Sequence, residues 1–343
     1  MTESFLSTFN PNAAAQPGSG IYGLPCTLEE SSVVIVPVPF EVTTSFGGGT
    51  ARAPAAIRKA SEQVDLFDPF MGKPYEQGIF MMKPDPRIVA LNRRARPLAK
   101  EIIQSGGVIK TPSRLQRSLD RVNDACSEML FIVEDTVTGL KVQNKIVGVV
   151  GGDHSVSYGA IMSAIRNHGE IGILHIDAHC DLRNCYEGFD WSHASVMFNV
   201  MESAPKHDTK LVQIGVRDYC EEESDYIRNA YRQSILFVHG SEIIPGRSLD
   251  VDSFTRFLPK QVYISFDIDG LDPANCPNTG TPVPGGLTFY QAIELIRGIA
   301  ERCHIVGFDL VEVGPQPWDA NVGARILYQL IGWTLKSQEN ATK

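Results

Sequence analysis

The stretch Ile171-Gly172-Ile173-Leu174-His175-Ile176-Asp177-Ala178-His179-Cys180-Asp181 begins as an apolar run and ends in a dense set of acids and imidazoles. Its apolar part does not alternate with polar residues, the pattern of a strand buried on both faces, as in a parallel sheet covered by helices. Working outward, runs of the same kind recur at Val33 to Val38, Ile146 to Val150, Leu211 to Val216, Ile235 to Val238, Val262 to Phe266 and Ile305 to Leu310. Between them the period changes. Leu115, Leu119, Val122, Cys126, Met129 and Val133 step by four and three, which puts them on one stripe of a helix. Thr288 followed by Gln291 reads as a capping box, with Phe289, Ala292, Ile293, Ile296 and Ile299 as the buried face behind it. Strands alternating with helices predict an α/β fold of three layers, a mostly parallel sheet between two layers of helices. No repeat or linker interrupts the pattern, so residues 31–343 are read as one domain. Residues 1–30, rich in Ser, Pro, Gly and Asn, are read as an arm or surface wrap rather than a core element.

Composition narrows the function. With 343 residues, 43% of them hydrophobic and 21% charged, the chain can bury a large core and is not mainly disordered. Its 31 Lys and Arg against 40 Asp and Glu give a net charge of −9, which argues against nucleic acid or an anionic membrane as partner and suits a small cationic substrate. No stretch approaches the roughly 18–20 apolar residues of a membrane span, and the start lacks the pattern of a signal peptide, so a cytoplasmic protein is expected. The seven cysteines are odd in number and none is spaced as a zinc or redox pair; they read as reduced thiols.

In sheets of this kind chemistry gathers where strands run into loops at their carboxyl ends. Three clusters fit. Gly151-Gly152-Asp153-His154-Ser155 presents His154 after the strand ending at Val150, with Val156 to Ile165 reading as a helix. Strand alternation continued past Ile176 puts Asp177, His179 and Asp181 on one side, and the same reasoning pairs Asp267 with Asp269 in the segment Ser265 to Pro273. Carboxylates this crowded disfavour one another's ionisation at a cost on the order of several kcal/mol unless a cation compensates. Four aspartates and two neutral imidazoles suit two divalent ions with shared carboxylates, and mixed O and N ligation points to Mn, Fe, Co or Ni rather than structural zinc. Two ions sharing a water acidify it enough to supply a hydrolytic nucleophile at neutral pH. His175, one step deeper in its strand, reads as a hydrogen-bonded core histidine. Asp153 and Asp272 read as loop organisers, and His168, His207, His239 and His304 as structural or exposed.

GGDHS at 151–155, HIDAHCD at 175–181 and SFDIDGLDP at 265–273 resemble the signature blocks of the ureohydrolase family, which includes arginases and agmatinases. TSFGGGTARAPAAIRKAS at 44–61, NTGTPVPGGLT at 278–288 and DLVEVGP at 309–315 follow the family's pattern in order. The resemblance implies a central eight-stranded, mostly parallel sheet and a dinuclear site usually holding Mn(II). It implies that His154 and Asp181 hold one ion and His179 and Asp269 the other, with Asp177 and Asp267 bridging. It also implies attack on a guanidinium carbon and collapse of a tetrahedral intermediate to urea and an amine or ammonia, with Asp181 taking the proton. Glu312 corresponds to the family's glutamate that pairs with the guanidinium, for which a carboxylate's two oxygens are geometrically apt. His193 stands where the family places a histidine that shuttles protons or contacts substrate.

Residues 183–198, RNCYEGFDWSHASVMF, lack the Asn- and Ser-containing stretch with which arginases grip an α-amino acid, and Gly314 replaces their Asn, which argues against arginine. Tyr186, Phe189 and Trp191 suit a small guanidino cation through cation–π contact or a narrowed pocket. The loop is similar to that of the agmatinase-like subgroup of guanidine and alkylguanidine hydrolases, in which Ni(II) can replace Mn(II). The expected cofactors are therefore two divalent ions per subunit, Mn(II) or Ni(II), and the expected substrate is guanidine or a small substituted guanidine. Agmatine, or an ω-guanidino acid held by Arg183, is the alternative within the same chemistry. A non-catalytic subunit supporting a catalytic partner would have lost ligands, whereas all six are present; a single-zinc deacetylase would lack those of the second ion. The family implies a homo-oligomer, trimer or hexamer, and leaves room for a partner of different sequence.

Overall fold

Eight strands build one sheet in the computed structural model, which describes residues 5–7, 9–16, 18–109, 114–205, 209–230, 233–244 and 246–341. They are β1 (Val33–Val38), β2 (Ile79–Met81), β3 (Ile146–Gly151), β4 (Ile171–Ile176), β5 (Thr209–Val216), β6 (Ile235–His239), β7 (Gln261–Asp267) and β8 (His304–Val311). Their order is β2-β1-β3-β8-β7-β4-β5-β6, and every neighbouring pair is parallel. The seven apolar runs are seven of these strands. β2 was not foreseen because a three-residue edge strand carries too little pattern.

The helices are α1 (Ala53–Ala60), α2 (Pro86–Gln104), α3 (Arg114–Val142), α4 (Ser157–His168), α5 (Val196–Ser203), α6 (Glu221–Asp225), α7 (Val251–Phe257), α8 (Phe289–Ala300) and α9 (Pro317–Ala341). α1, α7, α8 and α9 cover one face of the sheet, and α2 to α5 the other. Along β1, Val33 and Ile35 enter the first core, while Val34 and Val36 enter the second. Both faces are buried, so a polar residue on either would be unsolvated; each such Val or Ile contributes about 1.5–3 kcal/mol. On α3 the stripe Val122, Cys126, Met129 and Val133 is buried, and Thr288 with Gln291 closes a reciprocal capping box at the start of α8.

Part of the N-terminal arm departs from the sequence reading, while residues 9–16 remain exposed or half-buried. Ile21, Tyr22 and Leu24 are buried in the core beside α1 and α9, and the Tyr22 hydroxyl donates to the Ala324 carbonyl at 2.9 Å. With Phe5 and Cys26 these side chains dock a stretch otherwise dominated by small and polar residues. Among the described residues no helix is long and apolar enough to cross a membrane; His207 lies outside them. The four adjacent central strands β3, β8, β7 and β4 bring their carboxyl ends together, and every acidic and histidine motif follows one of those ends.

Candidate metal centre

The ligand-bearing segments are loops and short turns rather than extended strand. β4 stops at Ile176, so alternation is not what orients Asp177, His179 and Asp181. Individual hydrogen bonds do that work. The Asp177 N–H donates to the Ile214 carbonyl (3.1 Å), the Ala178 N–H to Asp269 Oδ1 (3.0 Å) and the His179 N–H to Asp177 Oδ1 (2.6 Å). Asp181 takes a left-handed backbone, φ 54°, and its carbonyl accepts the Phe198 N–H. At the end of β3 the chain passes so close to its neighbour that a Cβ on Gly152 would lie 1.7 Å from the Phe40 carbonyl oxygen. Asp153 follows, accepting from Ser155 through Oδ1 and from Thr43 through Oδ2, which sets the turn that presents His154. Asp267 ends β7 and caps the next turn through Oδ1, placing Asp269 in it.

Two groups of ligand atoms result. His154 Nδ1 lies 3.0 Å from Asp177 Oδ2, 3.0 Å from Asp181 Oδ2 and 3.3 Å from Asp267 Oδ2. His179 Nδ1 lies 3.4 Å from Asp177 Oδ1 and 3.2 Å from Asp269 Oδ2. Asp177 thus offers one oxygen to each group. Asp267 faces the His154 group through Oδ2 while its Oδ1 is engaged by the Asp269 N–H.

These atoms fit divalent cations for a reason internal to the structure. His154 Nε2 is 2.9 Å from the Ser265 hydroxyl, whose own hydrogen goes to Asp309 Oδ1 at 3.0 Å. Nε2 must therefore carry a hydrogen, so the neutral ring presents the lone pair of Nδ1; although burial opposes it, Asp177, Asp181 and Asp267 raise the His154 pKa well above its usual value, so without a metal ion a proton sits there instead. That buried Nδ1 has no hydrogen-bond partner among the described residues and faces three carboxylate oxygens. Lone pair against carboxylates is repulsive unless a cation lies between them. The carboxyls register the same strain: burial and the Asp177 charge push Asp181 up to about 6, and burial with Asp269 and Asp177 pushes Asp267 well above the usual range. In the absence of cations, protons take up the excess charge.

Comparison with known proteins gives the family and the fold. The family model described as the arginase family matches residues 31–332. The chain belongs to the arginase family. An N(1)-aminopropylagmatine ureohydrolase from Thermus thermophilus is 30% identical over 308 residues, covering 89% of this chain and 90% of that one. In fold the chain is similar to the agmatine ureohydrolase of Thermoplasma volcanium, with a TM-score of 0.71, 21% identity and 98% of both chains covered. It is also similar to Trypanosoma cruzi formiminoglutamase, solved with Mn2+, with a TM-score of 0.67, 16% identity, and 90% and 95% of the two chains covered. The protein is a metal-dependent ureohydrolase.

In this ureohydrolase Glu312 follows β8 with a left-handed backbone, φ 58°, held by its N–H to the Gly152 carbonyl at 2.8 Å. Its Oε1 accepts the His154 N–H at 3.1 Å and lies 3.6 Å from His193 Nδ1; its buried Oε2 has no partner among the described residues. Burial, with Asp153 and Asp269 nearby, raises the Glu312 carboxyl well above the usual range. His193 is fixed by its N–H to Thr43 Oγ1 at 2.9 Å, and its Nε2 lies 3.3 Å from the Ser45 hydroxyl. Burial first, then His179 and His154, lower its pKa to about 3, so the ring is neutral at physiological pH.

A cavity of about 260 Å³ opens over His179, Asp181, Asp267 and His193, walled by Ser45, Phe46, Arg183, Tyr186, Asp218, Glu223 and Thr281. The expectation of an aromatic box is corrected here. Trp191 packs against Tyr158, ring centroids 5.1 Å apart, and Phe189 is fully buried in the core, so neither lines the cavity. Tyr186 does, but Arg183 covers its ring face at 4.8 Å and also lies 3.8 Å from Glu223 Oε2. Consecutive aromatic residues of a loop diverge, and sequence does not tell which turns inward. Ser45, Phe46 and Asp218 were missed. Asp218 had a usable signal, since it stands just beyond the carboxyl end of β5.

Proposed function

We propose that this ureohydrolase cleaves the C–N bond of guanidine or a small substituted guanidine: the guanidinium R–NH–C(NH2)2+ and water give urea and the ammonium R–NH3+. The observation that carries the reading is the His154 Nδ1 lone pair facing three carboxylate oxygens, beside a second group that shares Asp177. His154, Asp181, Asp177 and Asp267 would hold one divalent ion, and His179, Asp269 and Asp177 the other, with Mn(II) the first choice. When bound, the two ions supply Lewis acidity that makes water nucleophilic at neutral pH. Asp181, beside the cavity, accepts the proton released by the nucleophile. The unpartnered Glu312 Oε2 accepts N–H bonds from the planar guanidinium and gains a cation in exchange for its proton. Neutral His193 at the cavity wall is too weak a base to hold a proton at neutral pH and serves instead to offer a ring nitrogen to a substrate N–H.

Among the described residues the cavity wall offers an α-carboxylate no uncommitted Arg or Lys. Arg183, the one cationic side chain there, is committed to Tyr186 and Glu223. A second reading, agmatine, is favoured by Asp218: its carboxylate lines the cavity with no ion pair among the described residues and would suit an ammonium tail. The test is urea release by Mn(II)-loaded and Ni(II)-loaded protein from guanidine, dimethylguanidine, agmatine, guanidinobutyrate and arginine. Highest kcat/KM on guanidine or dimethylguanidine supports the proposal, and preference for agmatine selects the second reading. Preference for guanidinobutyrate or arginine, or no urea from any, contradicts both.

A further inference from the structure

Among the described residues one buried imidazole, unlike the ligands and His193, has no role so far. His175 lies on β4, fully buried, directly across from Gln213 in the register with β5. Gln213 Nε2 is 2.7 Å from the Cys180 carbonyl oxygen and 2.9 Å from His175 Nδ1. A carbonyl oxygen only accepts, so the amide nitrogen must be the atom turned toward it. An amide nitrogen has no lone pair to offer. Its second hydrogen therefore goes to His175 Nδ1, and the imidazole hydrogen of His175 sits on Nε2. Nε2 is 2.8 Å from Asp177 Oδ2, the oxygen that faces His154. The other oxygen, Oδ1, accepts the His179 N–H at 2.6 Å and faces the second group.

We propose that His175 and Gln213 are positioning residues: the one-way chain from Gln213 through His175 fixes Asp177 as the carboxylate shared by both cation positions. Each Asp177 oxygen then has one N–H donor and keeps one lone pair for one ion. The inference rests on the dinuclear reading above and goes beyond it, because it gives His175 a role other than ligation. His175 Nε2 is close enough to His154, Asp177 and Asp181 to have served as a ligand itself. The tautomer separates the two roles, since a ligating Nε2 needs the lone pair that this chain replaces with a hydrogen.

The experiment has two arms. Protein labelled with 15N-histidine is examined by two-bond 1H–15N correlation, metal-free and loaded with diamagnetic Zn(II), with the His175 signals assigned by their loss in His175→Gln. The expected result is the Nε2–H tautomer in both states; an Nε2 that loses its hydrogen on loading overturns the proposal in favour of ligation. Mn(II) binding is then measured by titration for His175→Leu, Gln213→Leu and His175→Gln, with circular dichroism to verify folding. His175→Leu and Gln213→Leu should weaken binding by about 10- to 100-fold, the usual effect of losing a partner behind a ligand. His175→Gln, which keeps an N–H donor, should recover much of that loss. Unchanged affinity in all three overturns the inference, and if the leucine variants do not fold, the wild-type spectrum decides alone. Failure of the wild-type protein to take up two ions would instead strike the dinuclear reading.

Discussion

Asp181 and Glu312 are two of the few non-glycine residues held at positive φ, a conformation that costs about 1–3 kcal/mol each and persists only where surroundings over-determine it. Both adjoin the proposed chemistry, and in both the strain aims a carboxylate that a relaxed backbone would direct elsewhere. Glu312→Gln keeps the shape and removes the charge that would meet the guanidinium. A charge-assisted bond of about 1.5–3 kcal/mol is lost, so kcat/KM should fall roughly 10- to 150-fold while metal content, read by elemental analysis, stays the same. Loss of metal in that variant would reassign the residue. His193 makes a different prediction. Folded, it stays neutral down to about pH 3, whereas an unfolded histidine takes up a proton near pH 6.5. Between those values the unfolded chain binds the extra proton, so the contribution of His193 to stability is whole above about 6.5 and is lost as pH falls toward 3. His193→Gln should flatten the acid-side fall of the unfolding temperature, and an unaltered slope would mean that the ring is not neutral.

Among elements, the strands were legible because a parallel strand buried on both faces leaves a continuous apolar run, as Val33–Val38 and Ile171–Ile176 do. β2 was too short to leave one. The ligands were legible as residue types at strand ends, but the cause of their geometry was not. Asp177 to Asp181 are placed by N–H groups donated to the Ile214 carbonyl and Asp269 Oδ1 and by one received from Phe198, contacts distant in sequence that no local period records. Trp191 turned inward to Tyr158 for the same reason: the loop's packing against α4 decides its direction. The turn after β3 shows how an element end serves the site. Gly152→Ala would drive a methyl into the Phe40 carbonyl and displace the turn that carries His154. Circular dichroism melting should show a loss of several kcal/mol, about the scale of a severe steric substitution, together with weaker metal binding. An alanine variant with wild-type melting and affinity would contradict the close approach.

For the whole molecule, the cost of gathering four carboxylates beneath one cavity makes metal content a matter of folding stability as well as activity. Ions that bind only the folded chain stabilise it by about 4 kcal/mol at a free concentration a thousand times the dissociation constant, so chelation should lower the unfolding temperature measurably. The pH dependence follows from Asp181, whose folded pKa of about 6 exceeds its value near 4 in the unfolded chain. Across that window the metal-free fold binds a proton that the unfolded chain does not, so its stability declines as pH rises from about 4 through about 6; Asp267 acts in the same direction. The gap between loaded and metal-free unfolding temperatures should therefore widen over that range, and a constant gap would show that protons and metal do not compete. The net charge of −9 suits a cationic substrate without selecting one. The most direct test of the whole account is the number of Mn(II) ions bound per chain at saturation, by equilibrium dialysis and elemental analysis of wild-type protein beside Asp177→Asn. Two ions in the wild type, and fewer when the shared carboxylate is lost, is the predicted result; one ion or none in the wild type would contradict it.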